Sequence, residues 1–360
     1  MAEPFPLLSL EGDAATRGRA YGRAAGERIA KGLELYRHDF ARRGLEWGRA
    51  LDAAARYAPA LEGFDADLAE EIRAIADGAE QPVEAIVLLN ARTELTLAAA
   101  AAGDTEGCTA GLALPETTEH GHTLHGQNWD WRPGCVETAV VLHLNGPDGH
   151  QALIFCEAGQ LARHGMNTAG VALTANGLQT PDDLAPDGVP TPIVRRNMLM
   201  QTSLAGAAGV LLTSPRSCSH ALIVSQCDGE AFCFEATPST VFWMVPEGGL
   251  LSHANHFKDP VARAQVRDVG FARHPETLYR DRRMMAALEA ERGRISKDTF
   301  ARALADRYGS PDAICRSPAP RAGGAESATV ASLIMDTTAG RMWIAPAPFE
   351  TARYTEYRFD

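Results

Sequence analysis

The run Thr105-Glu106-Gly107-Cys108-Thr109-Ala110 sets a cysteine directly after a glycine, at the point where helical patterning gives way to strand-like patterning. Cysteine is the strongest nucleophile among common side chains, yet its thiol is only partly ionised near pH 7 and needs a base. One arrangement supplies that base from the chain itself. The Cys108 thiol attacks the carbonyl of Gly107, a thioester forms, and water releases it. The shortened chain then begins with Cys108, whose α-amine, with an ordinary pKa of about 7.7–8, can take the thiol proton. Gly107 suits the first step because it lacks a Cβ that would hinder approach to its carbonyl.

Three further positions could complete such a site. Asp130, in Gly126-Gln127-Asn128-Trp129-Asp130-Trp131, returns beside Cys108 if two antiparallel strands join them, and its carboxylate can orient the new ammonium group. Asn255, in His253-Ala254-Asn255-His256, carries an amide suited to donating to an oxyanion. Asn176, ending a strand before Gly177, is a candidate contact for substrate or oxyanion, although Asn-Gly is also a plain turn signal. Two rival readings use the same residues. In one, Cys108 acts unprocessed with His253 or His256 as its base. In the other, Cys108 is a buried strand cysteine in a non-catalytic domain. The two histidines lack a third ligand at a helpful spacing, so no metal is expected, and no cofactor is called for.

The elements that must position these residues follow from periodicity. Residues 14–100 carry helical spacing and predict four helices, the first capped by Asp13 and another starting near Pro82 and running through Leu95. Gly18, Gly22 and Gly26 share one helical face and predict close helix packing, not phosphate binding. From Cys108 the period becomes two, with strands predicted over 109–114, 123–128, 138–144, 152–158, 161–166 and 171–175. A loop rich in Pro, Asp and Gly spans 179–191 and a helix follows over 194–204. Strands return at 220–226, 231–236, 241–245 and 250–253, helices at 275–292 and 297–308, and a final hairpin at 328–336 and 341–345. This order predicts an α+β fold with two antiparallel sheets sandwiched between helical layers.

Bulk composition excludes other classes. The net charge of −12 argues against nucleic acid as a partner. The pairs Arg42-Arg43, Arg195-Arg196 and Arg282-Arg283 read as solvated helix faces. No apolar run approaches the ~18 residues of a membrane span, and no secretory signal is visible, so a cytoplasmic protein with seven reduced thiols is expected.

The chain resembles the self-processing cysteine hydrolases typified by the fungal acyl-coenzyme A:6-aminopenicillanic acid acyltransferases. The resemblance covers nearly the whole length, through Gly18-Arg19-Ala20-Tyr21-Gly22, Glu70-Glu71-Ile72-Arg73, Leu89-Asn90-Ala91-Arg92, Glu106-Gly107-Cys108-Thr109, Gly126-Gln127-Asn128-Trp129-Asp130, Gly165-Met166-Asn167, His253-Ala254-Asn255-His256 and Ile314-Cys315-Arg316. It implies an N-terminal nucleophile αββα sandwich forming one structural domain. It implies cleavage between Gly107 and Cys108 into a helical segment 1–107 and a catalytic segment 108–360 that stay associated. It assigns the nucleophile to Cys108, the aspartate to Asp130 and the oxyanion amide to Asn255. More distant relatives, the bile-salt and penicillin V hydrolases, imply a substrate contact for Asn176. The implied substrates are small amides or short peptides, with an acyl-CoA or an amine as a second reactant. One departure stands out: where the fungal enzyme carries an Arg, this chain has Glu326, which points away from carboxylate-bearing substrates and towards those with a free amine. Arg316 nearby is the residue that could compensate.

Overall fold

The computed structural model describes residues 3–99, 107–146, 148–320 and 325–359. Thr105 and Glu106 of the cysteine motif, Pro147 of one predicted turn, and Gly323 and Gly324 ahead of Glu326 lie outside them.

Ahead of Cys108, one strand and six helices are described: β1 (Leu7–Glu11), α1 (Ala14–Arg42), α2 (Trp47–Ala55), α3 (Ala58–Phe64), α4 (Ala66–Gly78), α5 (Val83–Asn90) and α6 (Arg92–Ala99). This corrects the expected four helices. Helix α1 stops at Gly44, which takes φ +74°. Pro59 opens α3, and Asp65 turns extended to cap α4 through the N–H groups of Asp67 and Leu68. The run from Pro82 breaks at Ala91 into two short helices. Asp13 caps α1, accepting from Thr16 N at 2.8 Å as its position predicts. Gly18 and Gly22 let α1 lie directly on α4: a Cβ on them would stand 2.5 Å from Glu71 O and 2.2 Å from Ile75 O.

The remainder builds two sheets. Strands β2 (Gly107–Ala113), β3 (Leu124–Trp131), β4 (Ala139–Asn145), β5 (Gln151–Glu157), β6 (His164–Asn167) and β7 (Val171–Gly177) precede α7 (Thr191–Leu199) and α8 (Leu204–Thr213). Then come β8 (His220–Gln226), β9 (Ala231–Ala236), β10 (Val241–Met244), β11 (Leu250–His253), α9 (Pro260–Gln265), α10 (Thr277–Glu289) and α11 (Lys297–Leu304). The chain closes with β12 (Ala319–Pro320), β13 (Glu326–Asp336), β14 (Arg341–Pro346) and β15 (Thr355–Arg358). The first sheet runs β1-β4-β5-β6-β7-β8-β9-β10 and the second β11-β2-β3-β13-β14-β15, with β12 on β13. Pairing is antiparallel except β1 on β4, which is parallel.

Period-two alternation sorts side chains between layers. In β4, Val140, Leu142 and Leu144 belong to the core that the first sheet shares with the helices, while Ala139 and Val141 belong to the core between the sheets. Cys108, Trp129, Trp131, Phe155, Leu333 and Ile344 fill the space between the sheets. On the far side, Met284, Leu288, Phe300 and Leu304 of α10 and α11 cover Leu124, Leu250 and Ile334. The layer order is therefore helix, sheet, sheet, helix. Arg195 and Arg196 are buried rather than solvated, and Arg196 pairs with Glu71 at 2.9 Å, because α7 is wedged between the first sheet and α4. Among the described residues no helix is long and apolar enough to cross a membrane.

Candidate active site

Three neighbouring strands bring the candidate residues abreast. Gly107 on β2 lies opposite Asp130 on β3, and Asp130 lies opposite Thr329 on β13. Alternation then separates their side chains. Cys108 and its cross-strand partner Trp129 enter the core between the sheets, whereas Asp130 turns to the outer side, towards Arg316. Asp130 is thus placed against the backbone at the Gly107–Cys108 junction and not on the face that Cys108 shares with Trp129.

Asp130 is wholly buried and held from two sides. Thr329 Oγ1 donates to its Oδ1 at 2.6 Å, and Arg316 Nε stands 2.9 Å from Oδ2 as an ion pair outside hydrogen-bond alignment. Thr329 Oγ1 also accepts from Arg316 N at 2.8 Å, so one hydroxyl fixes both members of the pair. Arg316 Nη2 continues to Glu276 Oε1 at 3.1 Å. Burial would raise the Glu276 carboxyl, but the hydrogen bond with His274 and the Arg316 and Arg280 cations outweigh it and hold it at about 2. Gly107 fits under this cluster because it has no side chain: a Cβ there would meet Arg316 Cζ, Arg316 Nη1 and Asp130 Oδ2, each at 2.9 Å.

Asn255 reaches Cys108 from the end of β11. Its Oδ1 accepts from Cys108 N at 2.9 Å, and its Nδ2 donates to Gly177 O at 3.0 Å. A second donor, Arg280 Nη2 on α10, shares Oδ1 at 2.9 Å. Arg280 Nη1 donates to Cys108 O at 2.6 Å and to Thr109 Oγ1 at 2.9 Å. Burial, reinforced by the Arg316 cation, pulls the Arg280 guanidinium down to about 10.

The other sequence candidates lie at differing distances from this cluster. Asn176 spans the two sheets, with Oδ1 accepting from Gln127 Nε2 at 2.9 Å and Nδ2 donating to His253 O at 2.7 Å. Glu326 is exposed at the start of β13, three residues and about 10 Å along the strand from Thr329. Among the described residues it makes no ion pair, whereas Arg316 is the cation packed on Gly107. Both nitrogens of His253 are engaged, Nε2 by Glu235 and Nδ1 by Ala254 O, each at 2.8 Å. His256 Nδ1 shares a hydrogen bond with Thr277 Oγ1 at 2.9 Å, and burial and the neighbouring His253 lower the imidazole to about 4. No group of three or more metal-ligating side chains occurs among the described residues.

Two spaces adjoin the cluster. A small cavity of about 20 Å³ lies among Trp131, Gly177, Leu178 and the α6 residues Thr93, Thr96 and Leu97. A cleft of about 420 Å³ opens at His256, the residue after Asn255, between Phe257, Arg263, Val266, Phe271 and Leu278.

Sequence reasoning missed Arg280, Glu276 and Thr329. Arg280 did leave a signal. It shares the buried face of α10 with Met284 and Leu288, at i, i+4 and i+8, and a charge on an apolar stripe demands a partner.

The site thus lies in a helix-sheet-sheet-helix sandwich, with Cys108 the second residue of β2. The chain matches the family described as acyl-coenzyme A:6-aminopenicillanic acid acyl-transferase over residues 117–348. It belongs to that family. Among curated proteins it is 29% identical over 339 residues to the 40 kDa form of acyl-coenzyme A:6-aminopenicillanic-acid-acyltransferase from Emericella nidulans, covering 91% of this chain and 89% of the relative. Among solved structures it is similar to a mutant conjugated bile acid hydrolase from Clostridium perfringens, at 14% identity over 70% of this chain and 92% of that one, with a TM-score of 0.47. A Caenorhabditis elegans orthologue of N-acylethanolamine-hydrolyzing acid amidase is 13% identical over 70% of this chain and 100% of that one, with a TM-score of 0.46.

Proposed function

We propose that this chain is a cysteine amidohydrolase or acyltransferase that activates itself by cutting between Gly107 and Cys108. The observation that carries the reading is the pair of contacts on the two sides of that bond. Asp130 and Arg316 pack on Gly107, and Asn255 Oδ1 takes the Cys108 N–H at 2.9 Å. In the first step the thiol adds to the Gly107 carbonyl. The C–N bond breaks, the nitrogen takes the proton, and a Gly107 thioester remains. Water hydrolyses it to a Gly107 carboxylate and a free thiol. The nitrogen that was an amide is now the α-amine of Cys108, already lying against Asn255 and near Asp130.

The amine then serves as base. It takes the thiol proton, the thiolate attacks an amide substrate, and the same proton passes to the departing amine. Water or an amine takes the acyl group from Cys108. Asn255 Nδ2 has two hydrogens, and Gly177 O uses one, which leaves the other for an oxyanion. Asp130 steadies the ammonium form, and Arg316 and Glu276 hold Asp130. The substrates are small amides or short peptides, with Asn176 a candidate contact. The segments 1–107 and 108–360 stay together after cleavage. The charge argument from Glu326 weakens, because Arg316 keeps a cation at the scissile bond.

Intact mass spectrometry tests the reading. Wild type should give two chains of roughly 11 and 27 kDa, scaled by residue count. Cys108→Ala should remain one chain and lose amide hydrolysis. An uncleaved, active wild type would overturn self-processing and favour the unprocessed Cys–His reading.

A further inference from the structure

Asparagine has two nearly isosteric ends, so whether it donates or accepts at a given point depends on what surrounds it. At Asn255 the surroundings allow one answer. Cys108 N and Arg280 Nη2 are obligate donors, each 2.9 Å from the same atom, and Gly177 O is an obligate acceptor 3.0 Å from the other. A flipped amide would set two N–H groups against an NH2 and two oxygens against each other. Of the two donors, Cys108 N is the one that chemistry alters, from amide to amine. Arg280 is the one that stays.

We propose that Arg280 is the positioning residue that locks the Asn255 amide, oxygen towards Cys108 N and NH2 towards the reacting carbonyl, throughout self-cleavage and turnover. The inference rests on the reading of Asn255 as an oxyanion donor. The guanidinium fork serves this role because it binds three acceptors at once. Nη2 fixes Asn255 Oδ1, while Nη1 anchors to Cys108 O at 2.6 Å and Thr109 Oγ1 at 2.9 Å. The arginine thereby references the amide to the backbone of the nucleophile itself. A lysine could meet these acceptors only as a single point charge. Two features outside the reaction keep the arrangement rigid. Thr277 Oγ1 accepts from Asn255 N at 2.7 Å, and Arg280 is buried on the face of α10 that carries Met284 and Leu288.

The proposal separates Arg280 from a merely structural cation. If it acts through Asn255, its loss should lower kcat and leave KM little changed, since ground-state contacts persist while the oxyanion donor wanders. Arg280→Gln is expected to reduce kcat and the rate of self-cleavage about 100-fold, with Arg280→Lys intermediate. The deciding measurement is a double-mutant cycle with Asn255→Ala, read both as the two-chain fraction by intact mass and as turnover of an anilide that wild type hydrolyses. In the Asn255→Ala background, Arg280→Gln should cost less than threefold more. Effects that multiply in the double variant would overturn the proposal, as would a variant that melts earlier yet keeps wild-type kcat in its folded fraction. If Arg280→Gln does not fold, the same cycle run with Arg280→Lys decides on the same criterion. Failure of the underlying reading looks different: Asn255→Ala alone would then leave cleavage and turnover unchanged.

Discussion

Gly107 shows how much a single missing Cβ can decide. Its Cα sits under the Arg316 guanidinium and beside Asp130 Oδ2, where any side chain would come within 2.9 Å of both. Gly107→Ala should therefore displace the Arg316–Asp130 pair. We expect self-cleavage to slow by about 10- to 100-fold, in line with the cost of misplacing reacting groups. A time course of intact mass after synthesis measures this, and unchanged kinetics would show that the pair is not needed for the cut. The motif order in the sequence pointed to Cys108, Asp130 and Asn255, each lying in a short run of unusual composition. It could not point to Thr329, whose hydroxyl joins Asp130 to the Arg316 backbone. A threonine in a strand carries no sign of its neighbour, because the pairing of β3 with β13 joins positions 199 residues apart. Arg280 was more accessible, since its place on the stripe of α10 was in the sequence to be counted.

At the scale of elements, the buried ion pairs between the first hundred residues and the rest are what would hold the two segments together after the proposed cleavage. Glu71 on α4 accepts from Arg196 on α7 at 2.9 Å and from Arg17 on α1. Arg92 on α6 pairs with Glu157 on β5 at 2.8 Å, and Arg132 after β3 reaches Asp39 on α1 at 3.2 Å. Each joins the segment before Gly107 to the segment after it, except the contact from Arg17. Glu71→Gln should leave the buried Arg196 without its counter-charge and cost about 3–5 kcal/mol. Urea unfolding of wild type and variant would measure it, and a loss below about 1 kcal/mol would mean that packing alone joins the layers. The glycine spacing of α1 announced its close contact with α4. By contrast, the burial of Arg195 and Arg196 was not legible, since a pair of arginines on a helix looks the same whether it faces water or an acid on another element. Strand β1 was missed for a similar reason. Its five residues take their place only by pairing with β4, more than a hundred residues away.

The whole molecule carries a pH dependence set by groups that must stay uncharged or unprotonated inside it. Burial lowers His125 from 6.5 to about 3, and burial together with His253 lowers His256 from 6.5 to about 4. Both are bases whose folded pKa is depressed, so between pH 6.5 and 4 the unfolded chain binds protons that the folded chain refuses. Stability therefore falls as pH falls, beginning near 6.5. Glu276 works in the same direction at lower pH: its folded pKa of about 2 lies below the ordinary 4.5, so its contribution is complete above 4.5 and is lost on the way down to 2. At pH 5 each histidine should have cost on the order of 2 kcal/mol relative to pH 8. The contribution of His125 can be isolated, because neither of its ring nitrogens has a hydrogen-bond partner among the described residues, and replacing it breaks no such bond there. His125→Leu should accordingly lose less melting temperature than wild type between pH 8 and pH 5, with the difference between the two curves levelling off as pH rises past 6.5. Parallel curves across that range would mean that His125 does not titrate on unfolding, and that the acid limb belongs to His256 and the carboxylates. The effect is global, unlike the Arg280 coupling, since it follows protons taken up by the unfolded chain and not the geometry at Cys108.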